Sequence, residues 1–227
     1  MSFPTEPLPV PNFVVDLADG REVTAVWLNE LGGVTFSLAG EEFVKVYPDE
    51  HAALLISEAE RMRWAIGYHP APRVLSAGPG WLHTAALSGR SAADPHWVLR
   101  PRTATRAIGE GLRRLHDALP VDACPFGAPS WVPDDAPPAD LLVVCHGAAQ
   151  APNTLVGDDA LCSGHVGLRD LGVADRWADL AVATMSLESN FESGLEAELL
   201  DAYGIDDDDE RLAYYRERWA GQPSGSG

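Results

Sequence analysis

Between His146 and Asp170 the chain sets out residues suited to phosphoryl transfer and lacks two that such chemistry uses. Transfer to a hydroxyl needs a carboxylate to orient the nucleophile, and oxygen ligands for the magnesium that offsets phosphate charge. A loop built for this has the spacing H-x-D-x-x-x-x-N. His146, Gly147, Ala148 and Asn153 fill that spacing, with Ala148 in the carboxylate position. A second, metal-binding carboxylate belongs on a short hairpin in a D-x-G setting. Here Ser163-Gly164-His165-Val166 runs into Gly167-Leu168-Arg169, so Gly167 stands in the metal position. Asn153 alone is a poor ligand for a hard cation. Asp170, just beyond, is the candidate substitute for the missing carboxylates.

Binding a nucleotide asks for a cation on its phosphates and a turn that lets backbone come close. Lys45, inside FVKVYP, can pair with phosphates, and Glu58 on the following segment can hold that lysine in place. Gly32-Gly33 could cover phosphates by close backbone approach. These residues need a short strand for Lys45, a helix for Glu58, and a buried strand, Leu141–Val144, running into the loop at His146. The apolar positions Leu54, Leu55, Ala59, Met62 and Ile66 supply a helical period over Glu50–Gly67.

The stretches CHGAAQAPN, GHVGLR and LGVADRWADLA are similar to CHGD-x-x-x-PN, GHVDLG-type and LGVADRW-x-DLA segments. The chain thereby resembles the aminoglycoside 3'-phosphotransferase family, from about Leu28 to about Trp219. The resemblance implies an α+β, two-lobed, protein-kinase-like fold in a compact form, with ATP and magnesium as cofactors and an aminoglycoside as acceptor. It makes Ala148 the position of a lost catalytic aspartate and Gly167 that of a lost metal aspartate. It gives His146 a mainly structural place in the loop and has Asp175 steady that loop from below. Thr84-Ala85-Ala86-Leu87-Ser88-Gly89 falls on the family's hinge, where backbone groups such as those of Thr84 and Ala86 hold the nucleotide base. Family members place extra helices between a CPF motif, here Cys124-Pro125-Phe126, and the catalytic strand. Those helices help form the aminoglycoside pocket, and the stretch from Phe126 to Cys145 is too short for them.

Composition narrows the function further. The 227 residues are 46% hydrophobic, enough for a substantial core. No apolar run approaches the roughly 20 residues of a membrane span. The N-terminus has no basic segment ahead of an apolar one, so the expectation is a cytoplasmic protein with reduced thiols at Cys124, Cys145 and Cys162. A net charge of −18 argues against nucleic acid, whose phosphates need clustered Lys and Arg, and favours a cationic ligand.

Along the chain, residues 1–87 are expected to form a small lobe, mostly antiparallel sheet with one helix. Residues 88–221 form a mainly helical large lobe, and 222–227 a disordered tail. Met1–Pro11 reads as a loose arm, and Phe13–Val26 as partly alternating strand with a hairpin turn at Asp19-Gly20. Strands follow in Trp27–Ala39, Phe43–Tyr47 and Val74–Leu87. Thr103–Leu119, Asp175–Met185, Leu195–Tyr203 and Glu210–Trp219 are helical, with Gly204 a C-cap and Asp206–Asp209 a solvated helix start. The reading favoured is a catalytically impaired, pseudokinase-like relative in a binding or accessory role. It takes ATP weakly, with magnesium (Mg2+) poorly served, or a small cationic ligand. The alternatives are a low-activity O-phosphotransferase using Asp170, and an enzyme that reuses the cleft for non-phosphoryl chemistry.

Overall fold

The computed structural model describes residue 4 and residues 6–221. The expected tail at 222–227 and part of the N-terminal arm lie outside the described residues. The described chain divides into two compact units. One holds residues through Trp64 together with Pro72–Ala86, and the other Ala65–Ala71 together with Leu87 to residue 221.

The first unit opens with helix α1, Asn12–Ala18, where the sequence reads as strand. Phe13, Val14 and Val15 favour strands locally, but Val14 and Ala18 sit one helical turn apart and both bury against Phe36, Leu38 and Val44. Tertiary packing overrides a weak local preference. Asp19-Gly20, read as a hairpin turn, ends this helix instead, both residues in left-handed backbone with φ 48° and 80°. Strands β1 (Val23–Leu28), β2 (Val34–Leu38) and β3 (Glu42–Val46) follow. Helix α2, Ala52–Ala65, comes next, led in by a 3-10 turn at Asp49–His51. Its buried residues Leu55, Glu58, Ala59, Met62 and Ala65 trace one helical face, so Glu58 points inward by periodicity. Strands β4 (Val74–Gly78) and β5 (Trp81–Ala85) complete an antiparallel sheet in the order β1-β2-β3-β5-β4. In that register Lys45 lies between Thr35 and Leu82.

The second unit is mainly helical. Strand β6 (Arg90–Ser91) and the short helix α3 (Pro95–Val98) lead to helix α4, Pro101–Ala118. Strand β7 (Leu142–Cys145) runs into the loop at His146. Strands β8 (Thr154–Val156) and β9 (Cys162–His165) pair antiparallel, with β6 on the outer side of β8. Strand β10 (Gly172–Asp175) returns antiparallel to β7, setting Gly172 opposite Cys145. Helices α5 (Arg176–Asn190), α6 (Glu196–Tyr203) and α7 (Asp209–Ala220) finish the unit. Gly204 closes α6 with φ 85°, as expected, and the Asp208 side chain caps α7 by accepting from the Arg211 amide at 3.0 Å. The core gathers Ile108 and Leu112 of α4, Val143 of β7, Leu180 and Val182 of α5 and Leu199 of α6. Burying each such side chain stabilises by roughly 1.5–3 kcal/mol. This core grips both strands that frame the His146 loop.

Candidate functional site

In the second unit β7 and β10 present their ends side by side, and the loop between His146 and Asn153 is shaped by hydrogen bonds to its backbone. His146 is fully buried. Its Nε2 lies 2.9 Å from the Val166 carbonyl, and its Nδ1 accepts the Ala148 amide at 3.2 Å. That pairing puts the proton on Nε2 and occupies both ring nitrogens with the loop's own backbone, the structural place that the resemblance implies. The Trp131 indole N–H donates to the Gly147 carbonyl at 2.7 Å, and the Asn153 side-chain N–H donates to the Ala148 carbonyl at 2.9 Å.

Ala148, Asn153 and Gly167 come together. Val166 N–H donates to the Asn153 carbonyl at 2.9 Å, which brings the end of β9 onto the loop. Gly167 has φ 74°, and a Cβ built there would lie 2.9 Å from Asn153 Oδ1. With its nitrogen tied to Ala148, Asn153 turns that oxygen toward position 167. Asp170 is buried and differently engaged. Ser130 Oγ donates to its Oδ1 at 2.8 Å, while Arg169 holds Oδ2 from Nε and Nη2 at 3.1 and 3.0 Å. Both carboxylate oxygens are occupied by these neighbours.

The carboxylate that steadies the loop is Asp179 and not Asp175. Asp179 is fully buried and accepts the amides of His146 at 2.5 Å and Gly147 at 2.9 Å. It also sits 2.9 Å from Nε2 of buried His116, whose Nδ1 meets the Tyr203 hydroxyl at 2.8 Å. Asp175 instead caps α5 through the Trp177 amide and pairs with Arg211 of α7 at 2.5 Å. The sequence offered a signal for Asp179: it is the lone acid in the apolar run Trp177–Val182. His116, Cys145 and Asp179 also form a cluster of potential metal-binding atoms within 4.8 Å of one another. Burial, and then Asp179 and Asp175, push the Cys145 thiol well above its usual range, so it stays protonated. The Asp179 oxygens already carry three hydrogen bonds, which makes the cluster an internal network.

Beside it, His69 Nε2 and His165 Nδ1 lie 2.9 Å apart. Burial lowers His69 to about 4 and His165 well below the usual histidine range, so both are neutral at pH 7. None of Cys124, Cys145 and Cys162 is in a disulfide.

In the first unit Lys45 Nζ meets both oxygens of Glu58 at 2.7 and 2.9 Å, and Glu58 is 1% exposed. The pair expected from the sequence is formed. Gly32 and Gly33 lie in the turn between β1 and β2, where Asn29 Oδ1 accepts the amides of Leu31 and Gly33 at 3.0 and 2.7 Å. Thr84 is buried in β5 opposite Phe43. The Ala86 amide donates to the Glu41 carbonyl at 2.9 Å, extending the ladder between β3 and β5.

The profile of the phosphotransferase enzyme family matches residues 128–215, which spans the loop, β7 to β10 and most of α7. Streptomycin 3''-kinase of Streptomyces griseus is 33% identical, over 86% of this chain and 90% of that protein. The chain belongs to the aminoglycoside phosphotransferase family. An aminoglycoside 3'-phosphotransferase of Streptomyces fradiae is 31% identical over 86% of this family member and 93% of its own length. The fold agrees: aminoglycoside phosphotransferase APH(3'')-Id of Streptomyces rimosus, solved in complex with ADP and streptomycin, superimposes with a TM-score of 0.66 at 26% identity. That match covers 92% of this chain and 98% of the other. The family's α+β kinase-like fold is therefore this chain's fold. Among the described residues no helix is long and apolar enough to cross a membrane.

Proposed function

We propose that this family member binds a small ligand in the family's manner and transfers phosphoryl groups poorly or not at all. The observation that carries this reading is the side-chain inventory around Asn153: a methyl group at Ala148 and no side chain at Gly167. Ala148 is read as the lost catalytic aspartate and Gly167 as the lost metal aspartate. Without a positioning carboxylate, roughly 10²–10⁴ of rate is missing if that group acts as a general base. Magnesium prefers octahedral oxygen and is usually held by one or two carboxylates. Asn153 Oδ1 is a single neutral oxygen, so this donor set does not fit the ion. Asp170 does not remedy this, because Ser130 and Arg169 hold both of its oxygens.

The ligand classes that fit are a nucleotide held weakly and a small cationic molecule of aminoglycoside type. Support comes from the streptomycin and ADP in the related complex, the Lys45–Glu58 pair and the net charge of −18. A coupled assay with ATP, magnesium and streptomycin or kanamycin tests the reading. No turnover above background is expected, while turnover near one per second would overturn it in favour of an active aminoglycoside kinase.

A further inference from the structure

Tyr68, His69 and Pro70, which follow α2, line a cavity of about 390 Å³ together with Arg114 and Asp117 of α4 and Cys162 of β9. That volume lies within the range of small-molecule sites, and all of these residues belong to the second unit. The wall at β9 is held in place. The His165 amide donates to the Pro70 carbonyl at 3.2 Å, and a Cβ on Gly164 would overlap that carbonyl.

Two groups bring hydrogen-bond donors to this space. His69 is 5% exposed, and its Nε2 meets Nδ1 of His165. Its own Nδ1 has no hydrogen-bond partner among the described residues, yet it is not sealed in protein as His165 Nε2 is, so it opens on the cavity that His69 lines. The proton positions follow from that orphaned nitrogen. A buried N–H without an acceptor is rare, so His165 Nε2 carries no proton and His165 Nδ1–H donates to His69. His69 then holds its own proton on Nδ1, toward the cavity. The second group is Arg114. Its Nη2 donates to the Cys162 carbonyl, and no carboxylate pairs with it among the described residues. Asp117, one turn on, is taken by Arg113 Nε at 2.8 Å. The chain has 34 acidic and 16 basic residues, so an arginine left without an acid beside a cavity runs against its composition. Tyr68, which is exposed, and Pro70 add an apolar flank.

We propose that this cavity binds a small aromatic carboxylate, with Arg114 and His69 Nδ1–H on the anion and Tyr68 and Pro70 against the ring. A guanidinium fork matches the two oxygens of a carboxylate, and aromatic rings gain from packing edge to face or offset. The site shares no residue with the Ala148–Gly167 position, so it stands or falls apart from the proposed function.

The test is an NMR titration of the full chain at neutral pH with benzoate, following the His69 imidazole and the Ser163 and Gly164 amides. These signals should move together and saturate with a Kd of about 1 mM, ordinary for a ligand of that size. Benzamide lacks the charge, benzylamine reverses it and inorganic phosphate lacks the ring; each should bind about tenfold more weakly, or less. Arg114→Met keeps the apolar stem and should bring benzoate and benzamide within about twofold of each other. Ala118→Trp, at the cavity's rim, should block benzoate and serves if Arg114→Met does not fold. Signals that stay still at about 20 mM benzoate overturn the inference. So does any of the three controls binding as tightly as benzoate, a folded Arg114→Met that keeps the preference, or a folded Ala118→Trp that still binds.

Discussion

Replacing Asp179 should cost this protein more than replacing any residue whose side chain faces the Ala148–Gly167 position. Asp179 accepts from His146 N–H, Gly147 N–H and His116 Nε2, and it has no exposed surface. Asp179→Ala would leave three buried donors without an acceptor, at about 1–3 kcal/mol each, or about 3–9 kcal/mol together. Asp179→Asn can set its carbonyl oxygen where Oδ2 accepts from His146 N–H and His116, and turns its N–H pair toward the Gly147 N–H alone, so about one of the three is lost, costing about 1–3 kcal/mol. Domains of this kind have total stabilities of only about 5–15 kcal/mol. The alanine variant should therefore be largely unfolded, and the asparagine variant folded with a marked loss. Urea unfolding gives the size of the effect, and amide hydrogen exchange gives its place: in Asp179→Asn the Gly147 amide should lose protection first. His116→Ala should cost less on its own, and little more once Asp179 is already alanine, because the two share one hydrogen bond. A loss below about 1 kcal/mol in both Asp179 variants, or unchanged protection at Gly147, would refute the assignment of Asp179 as the loop's anchor.

Stability should fall as pH drops from about 6.5 toward 4, since the unfolded chain takes up a proton on His69 that the folded chain refuses down to about 4. At 1.36 kcal/mol per unit that is about 3 kcal/mol, levelling below pH 4, with His165 adding in the same direction; a flat urea-stability profile over this window would contradict it. Gly167→Asp should destabilise the metal-free protein by about 1–3 kcal/mol, from left-handed backbone and the displacement of Asn153, and should recover part of that loss with magnesium. Ala148→Asp should show no such magnesium response in thermal unfolding; the reverse pattern would mean that the two positions are wrongly assigned. Trp131→Phe removes the donor to the Gly147 carbonyl and should cost about 1 kcal/mol or more, read by urea unfolding.

Much of the fold could be read from the sequence wherever local preference and packing agree. FVKVY is β-branched and aromatic and forms β3. The Leu55–Met62 period forms α2 and carries Glu58 inward to Lys45. Asn12–Ala18 was misread because Phe-Val-Val favours strand, while burial of Val14 and Ala18 on one helical face decides the outcome. At the site, the loop spacing located Ala148, Asn153 and Gly167 as neighbours. The choice between Asp175 and Asp179 was not legible from spacing alone. Both are buried acids at the start of α5, and only the three-dimensional return of β7 beside that helix puts the His146 and Gly147 amides over the second. Ser130 and Trp131 lie in a proline-rich stretch with no periodicity, so their bonds to Asp170 and Gly147 left no trace in the pattern.

The hydrogen bonds that shape the loop all bypass the side chain at position 148. They end on its backbone N–H and carbonyl, on the amides of its two predecessors, and on the carbonyls of Gly147 and Val166. A substitution at 148 therefore leaves those bonds in place and is limited instead by space, since Ala148 is buried. Position 167 is less free, since its left-handed backbone admits glycine readily and asparagine or aspartate at modest cost. Both positions therefore admit few residue types, 148 for its burial and 167 for its backbone.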